Sequence, residues 1–576
     1  MPSFYPSHRL RSLSIALILA VQAGGAEAGR TGGFAVNIPK NREDARNFYN
    51  AVYAASEGVA MGWTGQLAGC KPGKVSTDYL KAGLTRVNYF RAMAGVPAAV
   101  TFLADYNAKA QQAALMMLAN QTLNHYPPAS WTCYTVDGAT AAGSSNLAAG
   151  NAGAASIDMY MNDAGTASLG HRRWVFYPQT KNMGQGSVAD ASKPAYKQAS
   201  ALWVFDGHGG DARPTTRDGF VAWPPKGYVP YGLIYPDWSI SYPKADFSQA
   251  GVAVSRGGTA IPVTVSHPGN GYGENTLSFR LGTAIVPTAA DQVFRVSVTN
   301  VLVGGVAQSF VYDVKAFDPQ VKTAASVTPV LSGNAQPALN QAETYGFTPV
   351  SRADGYRLRV GSLQAFTTVA GAESNSTAGF VVDADTAAYA VVVAAPATGQ
   401  YAFHLAHPTP PRTQSLTWDH DFYVKDAQAA LRFDSRLGWA TGTQAAQVQV
   451  SSDGGKSWQT EYEQTGTGGA GESGYVARQV SLQAYAGRTV RLRFAYAFKG
   501  GSYYPQTGVG IGWQLDNIRL GNTAELTGQT TTDQGKISSL VYTPTASGQY
   551  LLQLQATAFG AYPLEWGPGF LIQVAP

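Results

Sequence analysis

The chain has 576 residues, of which 13% are charged and 45% apolar, and its 41 basic and 36 acidic side chains leave a formal charge of +5. A charged fraction about half the ordinary ~25%, with this much apolar content, excludes a mainly disordered chain, and at roughly 150 residues per domain the length suggests three or four domains with cores of their own. The near-neutral balance disfavours a nucleic-acid partner, because binding phosphates needs a basic surplus.

His8, Arg9 and Arg11 precede the apolar run Leu13 to Val21, and Ala26, Glu27 and Ala28 form an A-x-A cleavage site. Residues 1–28 therefore read as a secretory signal peptide whose apolar part is too short to span a bilayer. No later run approaches the ~20 apolar residues of a transmembrane helix. The expected location is outside the cytoplasm, in a periplasm or the extracellular medium. There the two cysteines, Cys70 and Cys133, are most simply assigned to one disulfide, with two buried free thiols as the alternative.

Between Asn41 and Asn124 the pattern is helical: Leu80, Leu84 and Val87 recur at helix spacing, as do Ala110, Ala113, Ala114, Met117 and Leu118. Gly95, a residue suited to a left-handed cap, and Pro97 end the first of these helices. From Trp238 to Phe317 the runs shorten and alternate, as in Ile261 to Val265 and Phe294 to Val298, with Asn270-Gly271 and Gly304-Gly305 as turn signals. They predict an Ig-like β-sandwich over 236–318. The stretch 319–340, rich in Thr, Ala, Pro, Ser and Gly, reads as a linker.

Beyond it, Val490, Leu492, Phe494 and Tyr496 alternate with Arg491, Arg493 and Ala495, so one strand face is apolar and the other partly charged. A second and larger β-sandwich, 341–576 with flanking strands, follows. Its segment SSDGGKSW, Ser451 to Trp458, fits an Asp-box-like hairpin turn in which Asp453 bonds nearby amides and the glycines take positive φ. Trp439, Tyr503, Tyr504 and Trp513 are candidates for stacking on carbohydrate. PATGQYAFHL and PTASGQYLLQL form a weak internal repeat of turn plus strand.

Two histidines stand in informative settings, His125 in LNHYPPASW and His171 in GHRRWVFYP. Between them lie AAGSSNLAAG, with Ser145 and Asn146, and IDMYMND, with Asp158 and Asp163. Taken with RVNYFRAMAGVP, the segment Thr122 to His125 with Pro127-Pro128, SSNLAAG and GHRRWVFYP resemble, in that order, the bacterial form of the CAP superfamily (cysteine-rich secretory, antigen 5 and pathogenesis-related, or SCP-like, proteins). The resemblance implies an α-β-α sandwich over 40–230 whose cleft gathers two histidines and two acids, a set that holds zinc or another divalent ion in some members. Carried across, the histidines are His125 and His171, Ser145 takes the place of one acid, and Asp163 that of the other. A serine hydroxyl is a poor zinc ligand and brings no charge, so the implied metal affinity is weak. Segment 341–576, through its Asp-box-like turn, VSLQAYAGRTVRLRFAYAF and GWQLDNIRL, resembles lectin-like jelly-roll modules related to MAM domains.

The expected architecture is thus multidomain, an N-terminal α-β-α sandwich followed by all-β sandwich domains. The expected function is a secreted binding protein whose histidine cleft takes a small apolar or metal-linked ligand, with β-modules that attach to extracellular matrix, peptide or carbohydrate. One alternative is a secreted hydrolase, such as a peptidase, with Ser145 as nucleophile, a cleft histidine as base and Asp163 as orienter. The other is a purely structural or adhesive protein.

Overall fold

Local capping sets the helices of the first part of the chain. Asn41 accepts from Asp44 N and starts α1 (Arg42–Phe48). Ser76 accepts from Tyr79 N and starts α2 (Thr77–Ala94), which Gly95 ends at φ 79° with its N–H on Ala92 O. α3 (Ala104–Asn120) buries Ala110, Ala113, Ala114, Met117 and Leu118, the face its spacing predicts. In α2 the buried face is broader than the apolar pattern suggests. Val87, Tyr89, Phe90 and Met93 are buried with Arg86, Asn88 and Arg91, whereas Leu80 and Leu84 are half-buried.

The computed structural model describes residues 33–365, 371–455 and 457–575. The expected signal peptide lies outside the described residues. They form two compact units, one of residues 33–49 and 53–319 and one of residues 320–575 with 50–52.

In the first unit a small sheet of β1 (Thr101–Phe102), β2 (Ser145–Ala149), β3 (Asn182–Ala189) and β4 (Gln198–Trp203) has the order β1-β3-β4-β2, with β1 parallel to β3 and the other pairs antiparallel. The shorter helices α4 (Val136–Gly143), α5 (Ala154–Asn162) and α6 (Gly170–Val175) complete it. Alternation along β3 assigns its two faces. On one side Gly186 lets α3 approach closely, since a Cβ there would lie 2.1 Å from Gln111 N. On the other, Gln185 donates from Nε2 to Gly153 O at the start of α5 and its amide packs against Gly83 of α2. Helices therefore cover both faces, the α-β-α sandwich expected of this region. Cys70 and Cys133 form a disulfide across a separation of 63 residues, and Cys133 packs with Trp63, Leu67 and Trp131 against the α3–α4 core.

The same unit continues as a β-sandwich. Strands β5 (Val221–Trp223), β6 (Gly227–Pro230), β7 (Asp237–Ser241), β8 (Gly251–Arg256), β9 (Thr259–Ile261), β10 (Val263–Ser266), β11 (Thr276–Leu281), β12 (Gln292–Val303) and β13 (Val306–Phe317) form two sheets, β10-β11-β7-β5 and β6-β13-β12-β8-β9. Trp238 of one sheet meets Phe294 of the other at 5.9 Å. The boundary near 230–236 is corrected by β5 and β6, which already belong to these sheets and pair with β7 and β13. Gly304-Gly305 makes the predicted tight turn between β12 and β13, whereas Asn270-Gly271 sits in a longer loop between β10 and β11.

In the second unit a large sheet that includes Gln414–Trp418 and Thr489–Phe498 faces a five-stranded sheet that includes Ala430–Leu437 and Trp513–Gly521. Their inner faces share one core, with Phe494 5.4 Å from Phe433 and 5.8 Å from Trp513. Val490, Leu492, Phe494 and Tyr496 all point into it, as their alternation predicts. The stretch 319–340 is not linker throughout: Leu331–Ser332 pairs with Glu343–Phe347, and Leu331 is buried in a second cluster with Tyr345 and Tyr356. The Asp-box-like turn is structural, with Asp453 accepting from Ser457 N and Ser451 Oγ accepting from Gly455 N. The two halves of the internal repeat supply Ala402–Leu405 of the five-stranded sheet and Gly548–Ala558 of the large one.

Two outcomes follow. Replacing Cys70 and Cys133 by alanine reopens a long loop in the unfolded chain and should lower the stability of the first unit by up to about 4 kcal/mol, read as a lower urea midpoint under oxidising conditions. In the second unit, burial holds His404 and His407 below the ordinary value of 6.5. The unfolded chain binds protons there that the folded one refuses, so their contribution is complete above pH 6.5 and is lost as pH falls below it. Residues 320–576 expressed alone should unfold cooperatively and at lower urea at about pH 5.5 than at about pH 7.5, and His404→Gln with His407→Gln should reduce that difference.

Candidate functional site

The site is built around one carboxylate. Asp163 caps the C-terminus of α5 in the left-handed region, φ 51°, with its N–H on Met159 O, a conformation Asp tolerates better than most residues. That turn points the side chain, fully shielded from solvent, at the start of α6. Its Oδ1 accepts from His171 Nδ1 at 2.7 Å and its Oδ2 from the Arg172 backbone N–H at 3.2 Å. Arg172, itself buried, closes the arrangement from behind, donating to Met161 O, Asn162 O and Asp237 O at 2.7, 3.0 and 2.7 Å. Burial pulls its guanidinium down to about 10, still high enough for it to remain a cation at neutral pH.

His125 is fixed in the same way by a neutral acceptor. Its Nδ1 lies 2.8 Å from Ala142 O, and because a carbonyl only accepts, Nδ1 carries the proton. The same argument protonates His171 Nδ1 beside the carboxylate. Both imidazoles, when neutral, therefore offer Nε2 as a lone pair. Asn146 Nδ2 donates to His171 O at 3.0 Å, so the two histidine segments are tied to opposite ends of one short stretch, Ala142 to Asn146. The Tyr160 hydroxyl donates to Asn146 O, and its ring lies 5.5 Å from that of His171.

Ser145, inside that stretch, is buried, and its Oγ has no hydrogen-bond partner. Neither imidazole touches it through a hydrogen bond, so the nucleophile–base pair of the hydrolase reading is not formed. Nor do the residues present fit a zinc ion. Of the expected set His125, His171 and Asp163, the carboxylate of Asp163 uses both oxygens on His171 and Arg172 and acts here as an orienting group. Among the described residues no three His, Cys, Asp or Glu side chains are gathered for a metal. What remains is two imidazoles and a hydroxyl, donors that bring no negative charge of their own to a divalent cation.

In the second unit Trp439 is 42% exposed and meets Tyr504 edge to face at 5.4 Å, while Tyr503 meets Phe498 at 5.7 Å. Trp513 is fully buried and donates from Nε1 to Ser435 Oγ, which removes it from the sugar-stacking candidates. The Ala142 carbonyl and the buried role of Arg172, which the motif GHRRWVFYP contains but does not explain, are the parts of the site that motif reading missed.

Residues 84–206, the segment that carries all four cleft candidates, match the model of the cysteine-rich secretory protein family, CAP. That assigns a CAP domain within the first unit and leaves the β-sandwiches outside the match. No curated protein matches the sequence. Among solved structures, one of carbohydrate-binding modules from the β-sandwich superfamily is 9% identical with a TM-score of 0.16, over 49% of this chain and 91% of that one. Another, the glycoside hydrolase domain of Endo-D from Streptococcus pneumoniae R6, is 10% identical with a TM-score of 0.15, over 34% of this chain and 36% of that one. Likenesses this weak establish neither the fold nor the function of the present chain.

Removing the central carboxylate should expose its role. Asp163→Ala leaves the His171 Nδ1–H and the Arg172 N–H without an acceptor, for an expected loss of about 1–3 kcal/mol in urea denaturation. Imidazole nitrogen NMR should show His171, but not His125, exchanging between tautomers in that variant.

Proposed function

We propose that the protein is an exported binding protein whose CAP domain holds a small ligand in the cleft between His125 and His171, and whose second unit attaches it to extracellular carbohydrate or matrix. The observation that carries the reading is the fixed tautomer of both histidines, each with Nδ1 donating inward and Nε2 left as an acceptor. A pair of oriented acceptors suits a ligand that brings hydroxyl or amide protons. A weakly held divalent ion is the less favoured guest, because the donors bring no negative charge.

The exposed Trp439 and its partner Tyr504 support attachment through a sugar ring, since an aromatic face stacks on the apolar face of a pyranose. The lectin-like, MAM-related reading of the second unit belongs to the same proposal. The hydrolase reading is second, since Ser145 lacks a base.

Mass spectrometry and metal analysis of the chain purified from its native export route test the main reading. A co-purifying small molecule, lost from a His125→Ala, His171→Ala double variant, is expected. Turnover of a peptide library that disappears with His125→Ala would instead assign the protein to the hydrolases.

A further inference from the structure

A cavity of about 390 Å³ opens elsewhere in the first unit, lined by α2, the start of α5 and the segment 56–61, and by none of His125, Ser145, Asp163 or His171. Its charged lining is Arg86, Asp158 and Glu57 alone. Arg86 is 1% exposed and fully engaged: Nε donates to Ser56 Oγ at 2.9 Å, one amino group to the Asp158 carboxylate and the other to Tyr53 O at 3.4 Å, with the guanidinium over the Tyr53 ring. Asp158 also accepts from the Tyr53 hydroxyl at 3.2 Å.

Glu57 is different. Its carboxylate reaches only to 3.8 Å from Arg86 Nη2, and its side chain is 57% exposed. One guanidinium thus faces two carboxylates. Asp158 neutralises it, and the charge of Glu57 is left over where the cavity meets solvent. The first amides of α5 add a partial positive charge of about half a unit, which does not cancel a full negative one. The remaining wall carries the apolar or aromatic side chains of Val59, Met61, Tyr79, Ala82 and Ala154 beside the polar Ser56 and Gln198.

We propose that this cavity binds a small organic cation, an ammonium group on an apolar body, with the ammonium on Glu57 and the body against Met61, Tyr79 and Ala82. The volume suits a ligand of about one ring, near the lower end of ordinary small-molecule sites. Desolvation raises the carboxyls of both Glu57 and Asp158 in spite of Arg86. An ammonium ligand supplies the missing charge and excludes the water that competes for Glu57.

Isothermal titration of the full chain with benzylamine, benzyl alcohol and benzoate tests the proposal. Benzylamine should bind one equivalent, and the neutral and anionic analogues at least about ten-fold more weakly. Glu57→Gln, an isosteric change at a half-exposed side chain, should weaken benzylamine about ten-fold, and Ala155→Trp at the exposed rim should block it. His171→Ala should leave benzylamine binding unchanged, which separates this site from the histidine cleft. Benzoate binding as tightly as benzylamine would show that the start of α5 dominates and overturn the proposal. So would no binding of benzylamine, or indifference to Glu57→Gln.

Discussion

The setting of His171 depends on a buried carboxylate. Asp163 stands at the end of α5 and holds the beginning of α6 by two bonds, one to a backbone amide and one to the imidazole of His171. An anion with no solvent contact is tolerable only when its oxygens are satisfied and a cation lies near. Arg172 supplies that cation while its own donors are taken by carbonyl oxygens. Helix end, helix start and ring orientation are therefore one electrostatic arrangement, and loss of any member leaves a buried group unpaired.

Buried arginines do similar work throughout the first unit. Arg91 is wholly buried, yet its donors go to Pro97 O, Val175 O, Tyr177 O and Thr180 O, backbone groups of segments that would otherwise lack partners. Arg173 gathers Ser168 O, Gly269 O and Glu274 O. The planar fork of guanidinium suits this role, because five fixed donors can serve several irregular carbonyls at once. Through Arg172 and Arg173 the α-β-α layer is joined to the loops of the β-sandwich that follows it. The two behave as one unit although only the first matches a family model.

How legible these features were in the sequence depends on whether their partners are near in the chain. The end of α2 at Gly95, the buried face of α3, the disulfide and the inward side of the strand 489–498 rest on residues a few positions apart, or on a count of two cysteines, and all could be read. The histidines could be read too, through ordered motifs. Strands β5 and β6 could not, since three or four residues rich in Val, Trp and Pro carry no period, and only pairing with β7 and β13 makes them strands. Leu331 was lost in a stretch of linker composition for the same reason. The partnership of Arg86 with Asp158 spans 72 positions, and no local pattern encodes it. Asp163 was legible as a partner of the histidines, either as a ligand or as an orienter, because a motif names a residue without saying which side of the histidine it occupies.

The bond between Asp163 and His171 has a topological consequence. The seven residues between them, AGTASLG, form a loop whose two ends are clamped together by the pair they separate, with Arg173 holding Ser168 O within it. The loop's length is thereby decoupled from the geometry of the cleft. A chain could lengthen or shorten this segment while the imidazole stays in register with the carboxylate.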